Sequence, residues 1–196
     1  MQTYSTTDII KTLQSRDITL FTLSDFGKIF EIDNQQTLYK KIARLEHNQI
    51  ITKLIKGKYR FLLSKSNDFL VANFLYNPSY ISLESALSFH GIITAFAYQI
   101  TSITVKPTRT FEIEGKEFTY SHLAPALFWG YEKKEDFLIA DPAKALLDYI
   151  YLGTKGLRNL VFDEMDLTPI NRGQLASYSK QYHNPRISSI IKRLAL

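Results

Sequence analysis

Apolar residues recur at helical spacing in three successive stretches near the start of the chain. Ile9, Ile10 and Leu13 give one inward face to a helix expected over Thr6–Ser15. A second face comes from Leu23, Phe26, Ile29 and Phe30. It is opened by residues 22–25, TLSD, a capping-box variant with Asp25 where Glu or Gln is usual. Between the two, residues 18–21 suit a short extended segment. Gly27 weakens the second helix but permits close approach to the next one. That third helix is expected in residues 34–48, NQQTLYKKIARLEHN. Asn34 caps it, and Leu38, Ile42 and Leu45 follow the i, i+4, i+7 rule. At about 100° per residue, Gln36, Lys40, Ala43, Arg44 and His47 fall opposite that stripe. Thr37 and Tyr39 flank them. The period then changes. Residues 50–63, IITKLIKGKYRFLL, hold two β-branched and aromatic runs around Lys56-Gly57, which predicts a hairpin carrying Lys53, Lys56, Lys58 and Arg60.

Further along, residues 67–78 read as a dense apolar helix halted at Asn77-Pro78. In residues 80–92, YISLESALSFHGI, Ser82 is a candidate N-cap, with Glu84 in the first turn and Gly91 as the stop. The pattern turns to strands in residues 99–106, 109–115 and 116–123, with a hairpin turn at Glu114-Gly115-Lys116. Shorter strands are expected at residues 128–131 and 137–139. Residues 139–152, IADPAKALLDYIYL, mark a helix capped by Asp141, with Pro142 at its first position and Gly153 as its stop. Two more helices are expected, over residues 171–182 and after Pro185. Strands and helices without regular β-α alternation indicate an α+β fold. The expected organisation is a winged helix-turn-helix over residues 1–66 and a mixed α+β interaction domain over residues 67–196.

Charge sharpens that division. The chain of 196 residues has a formal net charge of +5. Residues 1–66 hold 11 Lys+Arg against 6 Asp+Glu, which is the entire excess, and the remaining residues balance at 13 and 13. A basic module joined to a neutral one points to a polyanion partner for the first alone. With no cysteine, disulfide scaffolds, thiolate metal sites and thiol nucleophiles are excluded. No signal-peptide pattern and no run of about 20 apolar residues is present. The expectation is a soluble, cytoplasmic protein with no membrane partner.

Catalytic chemistry finds little support. His47, His90, His122 and His183 are scattered, and no pair has metal-ligand spacing. His90, near a helix end, reads as a structural histidine. No nucleophile elbow, P-loop or dinucleotide fingerprint occurs. Asp141 and Asp148 lie about two helical turns apart and could share a face for a metal or acid–base work. Asp141 is better explained as a cap, and Asp148 as a surface or hydrogen-bonding residue. The expectation is a non-enzyme with no cofactor or metal. The aromatic residues Tyr76, Tyr80, Phe89, Phe96, Tyr98, Phe128, Trp129 and Tyr131 are read mostly as core, with any exposed fraction as a partner-binding face.

Helix, helix, basic helix and basic hairpin, in that order, match a DNA-binding unit better than any single part does. Long donors around the small Ala43 suit a helix seated in a groove, where Lys and Arg reach guanine or phosphate and Gln pairs with adenine. The candidate DNA-binding residues are Gln36, Thr37, Tyr39, Lys40, Arg44 and His47 on the helix, with Lys56 and Lys58 on the wing. The bland alternatives are a solvated basic helix face and a structural hairpin.

Three passages add a resemblance. After the basic N-terminal segment come residues 80–92, residues 108–123 (TRTFEIEGKEFTYSHL) and residues 139–152. In that order they resemble the AbiEi antitoxins of type IV toxin–antitoxin and abortive-infection systems, over nearly the whole chain. The resemblance implies a phage-defence operon of two genes in a bacterium, repressed by this protein at operator repeats in double-stranded DNA. It implies a nucleotidyltransferase-like toxin as the second, direct or functional, partner. DNA binding would belong to the helix around Gln36, Lys40 and Arg44 and to the wing, and antitoxicity to the larger domain. A stand-alone winged-helix regulator and a pure protein-interaction module are the alternatives. Operator sequence and oligomeric state stay open.

Overall fold

The computed structural model describes residues 4–94 and 98–194. Its architecture is mixed α and β, in two compact units, Met1–Asn67 and Asp68–Leu196. In the first unit the local signals translate directly into elements. Helix α1 (Thr6–Ser15) opens with Ser5 and Asp8 in a reciprocal capping box. Strand β1 (Leu20–Thr22) leads into α2 (Leu23–Ile29), where Thr22 Oγ1 accepts from the Asp25 N–H at 3.1 Å and Asp25 Oδ2 accepts from the Thr22 N–H at 2.9 Å. Each such cap satisfies donors that the first helical turn leaves orphaned. Helix α3 (Gln35–His47) is capped by Asn34, whose Oδ1 accepts from the Thr37 N–H at 3.0 Å.

Strands β2 (Ile51–Ile55) and β3 (Lys58–Phe61) form the expected hairpin, and β1 adds to it in the order β1-β3-β2, all antiparallel. The turn is tied back to the helices, since the Leu23 N–H donates to Gly57 O at 2.9 Å. Ile9, Leu13, Phe21, Phe26, Phe30, Ile42, Leu45 and Phe61 make the core. Burying each such side chain contributes about 1.5–3 kcal/mol. A Cβ at Gly27 would lie 3.4 Å from Leu38 Cδ2, so α2 and α3 meet closely there.

The second unit is built on a six-stranded mixed sheet. After α4 (Asp68–Leu75) comes β4 (Ser79–Ile81), then α5 (Leu83–Phe89) and β5 (Gln99–Thr104). Strands β6 (Arg109–Ile113) and β7 (Lys116–His122) form one hairpin; β8 (Tyr131–Lys134) and β9 (Phe137–Ala140) form another. The sheet order is β6-β7-β5-β4-β9-β8, with β5–β7 and β4–β9 parallel. Helix α6 (Pro142–Thr154) is buried from Ala143 to Ile150 and packs on α5, on α7 (Arg172–Lys180) and on α8 (Pro185–Arg193). Among the described residues, no helix is long and apolar enough to cross a membrane.

Two local expectations are corrected, and one strand is new. Residues 79–81, for which no element is expected ahead of the Ser82 cap, form the central strand β4. Residues 128–130 are not a strand; Pro125–Leu127 makes a 3-10 turn, and the strand begins at Tyr131. Gly153 does not stop α6. It lies inside the helix, where a Cβ would fall 2.3 Å from Leu160 Cγ, and Gly156, at φ +73°, takes the left-handed position after the end.

Gly130 is constrained twice over. Its φ is +73°, and a Cβ there would meet Lys144 Cγ at 2.9 Å. Replacement by alanine combines the left-handed penalty with overpacking and is expected to cost about 2 kcal/mol. Urea unfolding of Gly130→Ala against the parent checks this, and an unchanged midpoint would remove the close-approach argument.

Candidate nucleic-acid interface

The stripe Leu38, Ile42 and Leu45 fixes how α3 is turned, because it is buried in the first unit's core. The opposite side is therefore presented outward. Gln36, Thr37, Tyr39, Lys40, Ala43, Arg44 and His47 are all exposed. Tyr39 is 54% exposed. Lys41 is different: it is half-buried, and its Nζ donates to the Tyr4 backbone carbonyl, tying the segment before α1 to α3.

Thr37, Lys40 and Arg44 are brought together. They line a groove between α1 and α3 with Ser5, Thr6 and Thr7. Tyr39 faces away from that group, into a second groove between α2 and α3 that also holds Ser24, Lys28, Glu31 and Asp33. Gln36 and His47 line neither groove. On the hairpin, Lys56 is exposed at the turn and Lys58 is half-buried at the start of β3, opposite Thr22 of β1. Thr6 and Thr7 were not singled out from sequence. Their place beside α3 depends on α1 packing through Ile9 and Leu13, a contact that no local motif announces.

The second unit holds its own polar centre. Asp148, expected as a surface or hydrogen-bonding residue, is fully buried. So is Lys144, one helical turn earlier, and the two form an ion pair. Asp148 Oδ1 also accepts from Tyr182 Oη at 2.7 Å. Its Oδ2 accepts from Tyr80 Oη at 2.9 Å and Ser82 Oγ at 2.8 Å. Four donors on one carboxylate use its full capacity. Lys144 Nζ further donates to Tyr182 Oη at 2.8 Å and stands 4.8 Å from the Trp129 ring centroid.

Burial pushes the Lys144 ammonium below the usual lysine range, against the raising effect of Asp148. Burial first and Asp148 second push the Tyr80 and Tyr182 phenols well above theirs. Ser82 sits at the N-cap of α5, yet its hydroxyl caps nothing because it is committed to Asp148. As arranged, Asp148 has no lone pair left for a metal. Asp141 is the N-cap of α6, its Oδ1 accepting from the Lys144 N–H at 2.9 Å, and burial raises its carboxyl. His90 Nε2 lies 2.8 Å from Ala140 O. A carbonyl can only accept, so Nε2 carries the proton. Among the described residues, no group of three or more His, Cys, Asp or Glu could hold a metal ion.

Among the aromatic residues of the second unit named above, Tyr80 is buried while Phe89, Tyr98 and Tyr131 are exposed. Tyr76, Phe128 and Trp129 are half-buried, and Phe96 lies outside the described residues. The neutral charge of the second unit also conceals a segregation. From residue 167 onward Arg172, Lys180, Arg186, Lys192 and Arg193 occur with no acid, and all five are exposed.

No protein-family model matches the chain, and no curated protein matches it significantly.

Proposed function

We propose that residues 1–66 form a winged helix-turn-helix that binds double-stranded DNA, and that the protein is an antitoxin and repressor of its own operon. The observation that carries the DNA reading is the outward face of α3. Its apolar stripe is locked in a core, and its exposed side offers Gln36, Lys40, Arg44 and His47 around the small Ala43. A helix so presented fits the major groove, about 12 Å wide. The β2–β3 hairpin that follows, with Lys56 at its tip, suits the neighbouring phosphates as a wing. Bound at operator repeats, such a protein would exclude polymerase from its promoter. This reading places it in the cytoplasm and requires no cofactor.

The antitoxin reading is supported by the resemblance of residues 80–92, 108–123 and 139–152 to AbiEi antitoxins. It gives the larger unit the task of countering a nucleotidyltransferase-like toxin, by complex formation or indirectly.

Electrophoretic mobility shift with the DNA upstream of the protein's own gene tests the first reading. Retardation is expected at low salt, and Lys40→Ala combined with Arg44→Ala should lower affinity by at least about tenfold. Unchanged affinity in the double variant would remove α3 from the interface. Co-expression with the product of the adjacent reading frame tests the second, growth rescue being the expected result.

A further inference from the structure

The two sides of α3 differ in charge, and this divides its residues by role. On the α1 side the groove, of about 660 Å³, has Ile9 and Leu45 in its floor. The polar side chains of Thr6, Thr7, Thr37, Lys40 and Arg44 line its walls, and all are hydroxyls or cations. Asp8, a carboxylate of α1, does not line it; Asp8 turns back onto the Ser5 N–H and hydroxyl. Lys41 also lines it, with one proton committed to Tyr4 O. On the α2 side the corresponding groove carries Glu31 and Asp33 beside Lys28. A phosphodiester strand is attracted to the first surface and meets two carboxylates on the second.

The crest of α3 lies between. At about 100° per residue, Gln36, Ala43 and His47 lie within about 40° of the direction opposite Leu38, whereas Thr37 and Arg44 lie ~60–80° from that direction, toward α1. Lys40 stands on the crest and also lines the groove.

We propose that the α1–α3 groove seats one strand of the duplex backbone, where Thr6, Thr7, Thr37 and Arg44 grip phosphate, and that Gln36, Ala43 and His47 face the bases. The inference rests on the DNA-binding reading and assigns α1 to the interface. Arg44 then supplies affinity and register without choosing sequence. Gln36, suited to adenine, and Ala43, suited to a thymine methyl group, supply the choice.

The test uses the full chain, a fluorescein-labelled mixed-sequence duplex of about 30 base pairs titrated over a range of salt, and selection from a randomised duplex pool. For Arg44→Ala, affinity should fall about tenfold, the log–log salt slope should become shallower by about 0.9, and the selected consensus should not change. Thr7→Val should weaken binding about two- to fivefold, again with the same consensus. Gln36→Ala should leave the slope intact and change the consensus at one position. All three positions are exposed, and circular dichroism verifies that each variant is folded. An altered consensus with an unmoved slope in Arg44→Ala overturns the division of roles while DNA binding itself stands. A parent protein that binds no duplex at low salt overturns the DNA reading and this inference together.

Discussion

Asp148→Asn should destabilise the protein by about 3–5 kcal/mol, because it leaves the Lys144 ammonium buried without a counter-charge. Lys144 and Asp148 are both fully buried, so water cannot replace the lost partner. The lysine can escape by giving up its proton, which from an unperturbed pKa near 10.4 costs about 4.6 kcal/mol at pH 7, and that escape limits what the unpaired charge alone can cost. An asparagine amide also turns one acceptor into a donor, facing hydroxyls that already donate from Tyr80, Ser82 or Tyr182. Lys144→Met should cost less. The carboxylate would keep three hydroxyl donors, and hydrogen bonds to a charged group are each worth about 1.5–3 kcal/mol. The double variant Lys144→Met with Asp148→Asn should lose less than the two single losses combined, since it removes both charges, although the amide accepts from fewer of the three buried hydroxyls. Urea unfolding of the four proteins gives the coupling. Two single variants each within about 1 kcal/mol of the parent would show that the pair is not the anchor of this unit.

That centre also shows where sequence reasoning stops. Lys144 and Asp148 are an i, i+4 pair, which on an ordinary helix faces solvent. Their burial is decided by Tyr80 and Ser82, more than sixty residues earlier, and by Tyr182, more than thirty later. No window around α6 contains that information. Ser82 fails for the same reason. The local rule reads it as a cap, while its hydroxyl serves a partner elsewhere in the chain. The central strand β4 has three residues, too few to show alternation. It exists because Ser79–Ile81 finds β5 on one side and Ile139 of β9 on the other. Strand β8 carries Glu132, Lys133 and Lys134, all exposed. This edge strand has no apolar face to announce it, and its charges suit an edge that must not pair further.

What could be read was local in origin. The caps at Thr22, Asn34 and Asp141 satisfy orphan donors within three residues. The orientation of α3 followed from Leu38, Ile42 and Leu45 alone, because a single apolar stripe leaves only one face to present. The partition of that face between two grooves did not follow. It requires knowing that α1 lies on one side and the acidic α2–α3 turn on the other. Sequence thus indicated which side of α3 is offered, and the fold adds which neighbours accompany each residue.

Above about pH 10 the protein should lose stability steeply, by up to about 4 kcal/mol per pH unit. The main cause is three tyrosines, Tyr80, Tyr120 and Tyr182, all buried, whose phenols burial pushes above the usual value near 10; burial raises Tyr59 and Tyr178 in the same sense. In the unfolded chain they ionise near pH 10. In the folded chain they hold their protons longer, so above that pH the folded state binds more protons and rising pH favours unfolding. Their stabilising contribution is complete below pH 10 and is withdrawn as pH rises toward the folded values. Lys144 acts in the opposite sense. Its folded value is lowered, so between that value and about 10.5 the unfolded chain holds the extra proton and stability rises with pH. That gain is finished by the pH at which the tyrosines dominate. Each tyrosine accounts for about 1.4 kcal/mol per pH unit. Tyr120→Phe should therefore remove about a third of the alkaline slope, while costing about 1–3 kcal/mol at pH 8 through the bond its hydroxyl donates to Ala72 O at 2.6 Å. Urea unfolding followed by far-ultraviolet circular dichroism between pH 8 and 12 measures both quantities. If Tyr120→Phe keeps the parent's slope, Tyr120 is not a source of the alkaline loss.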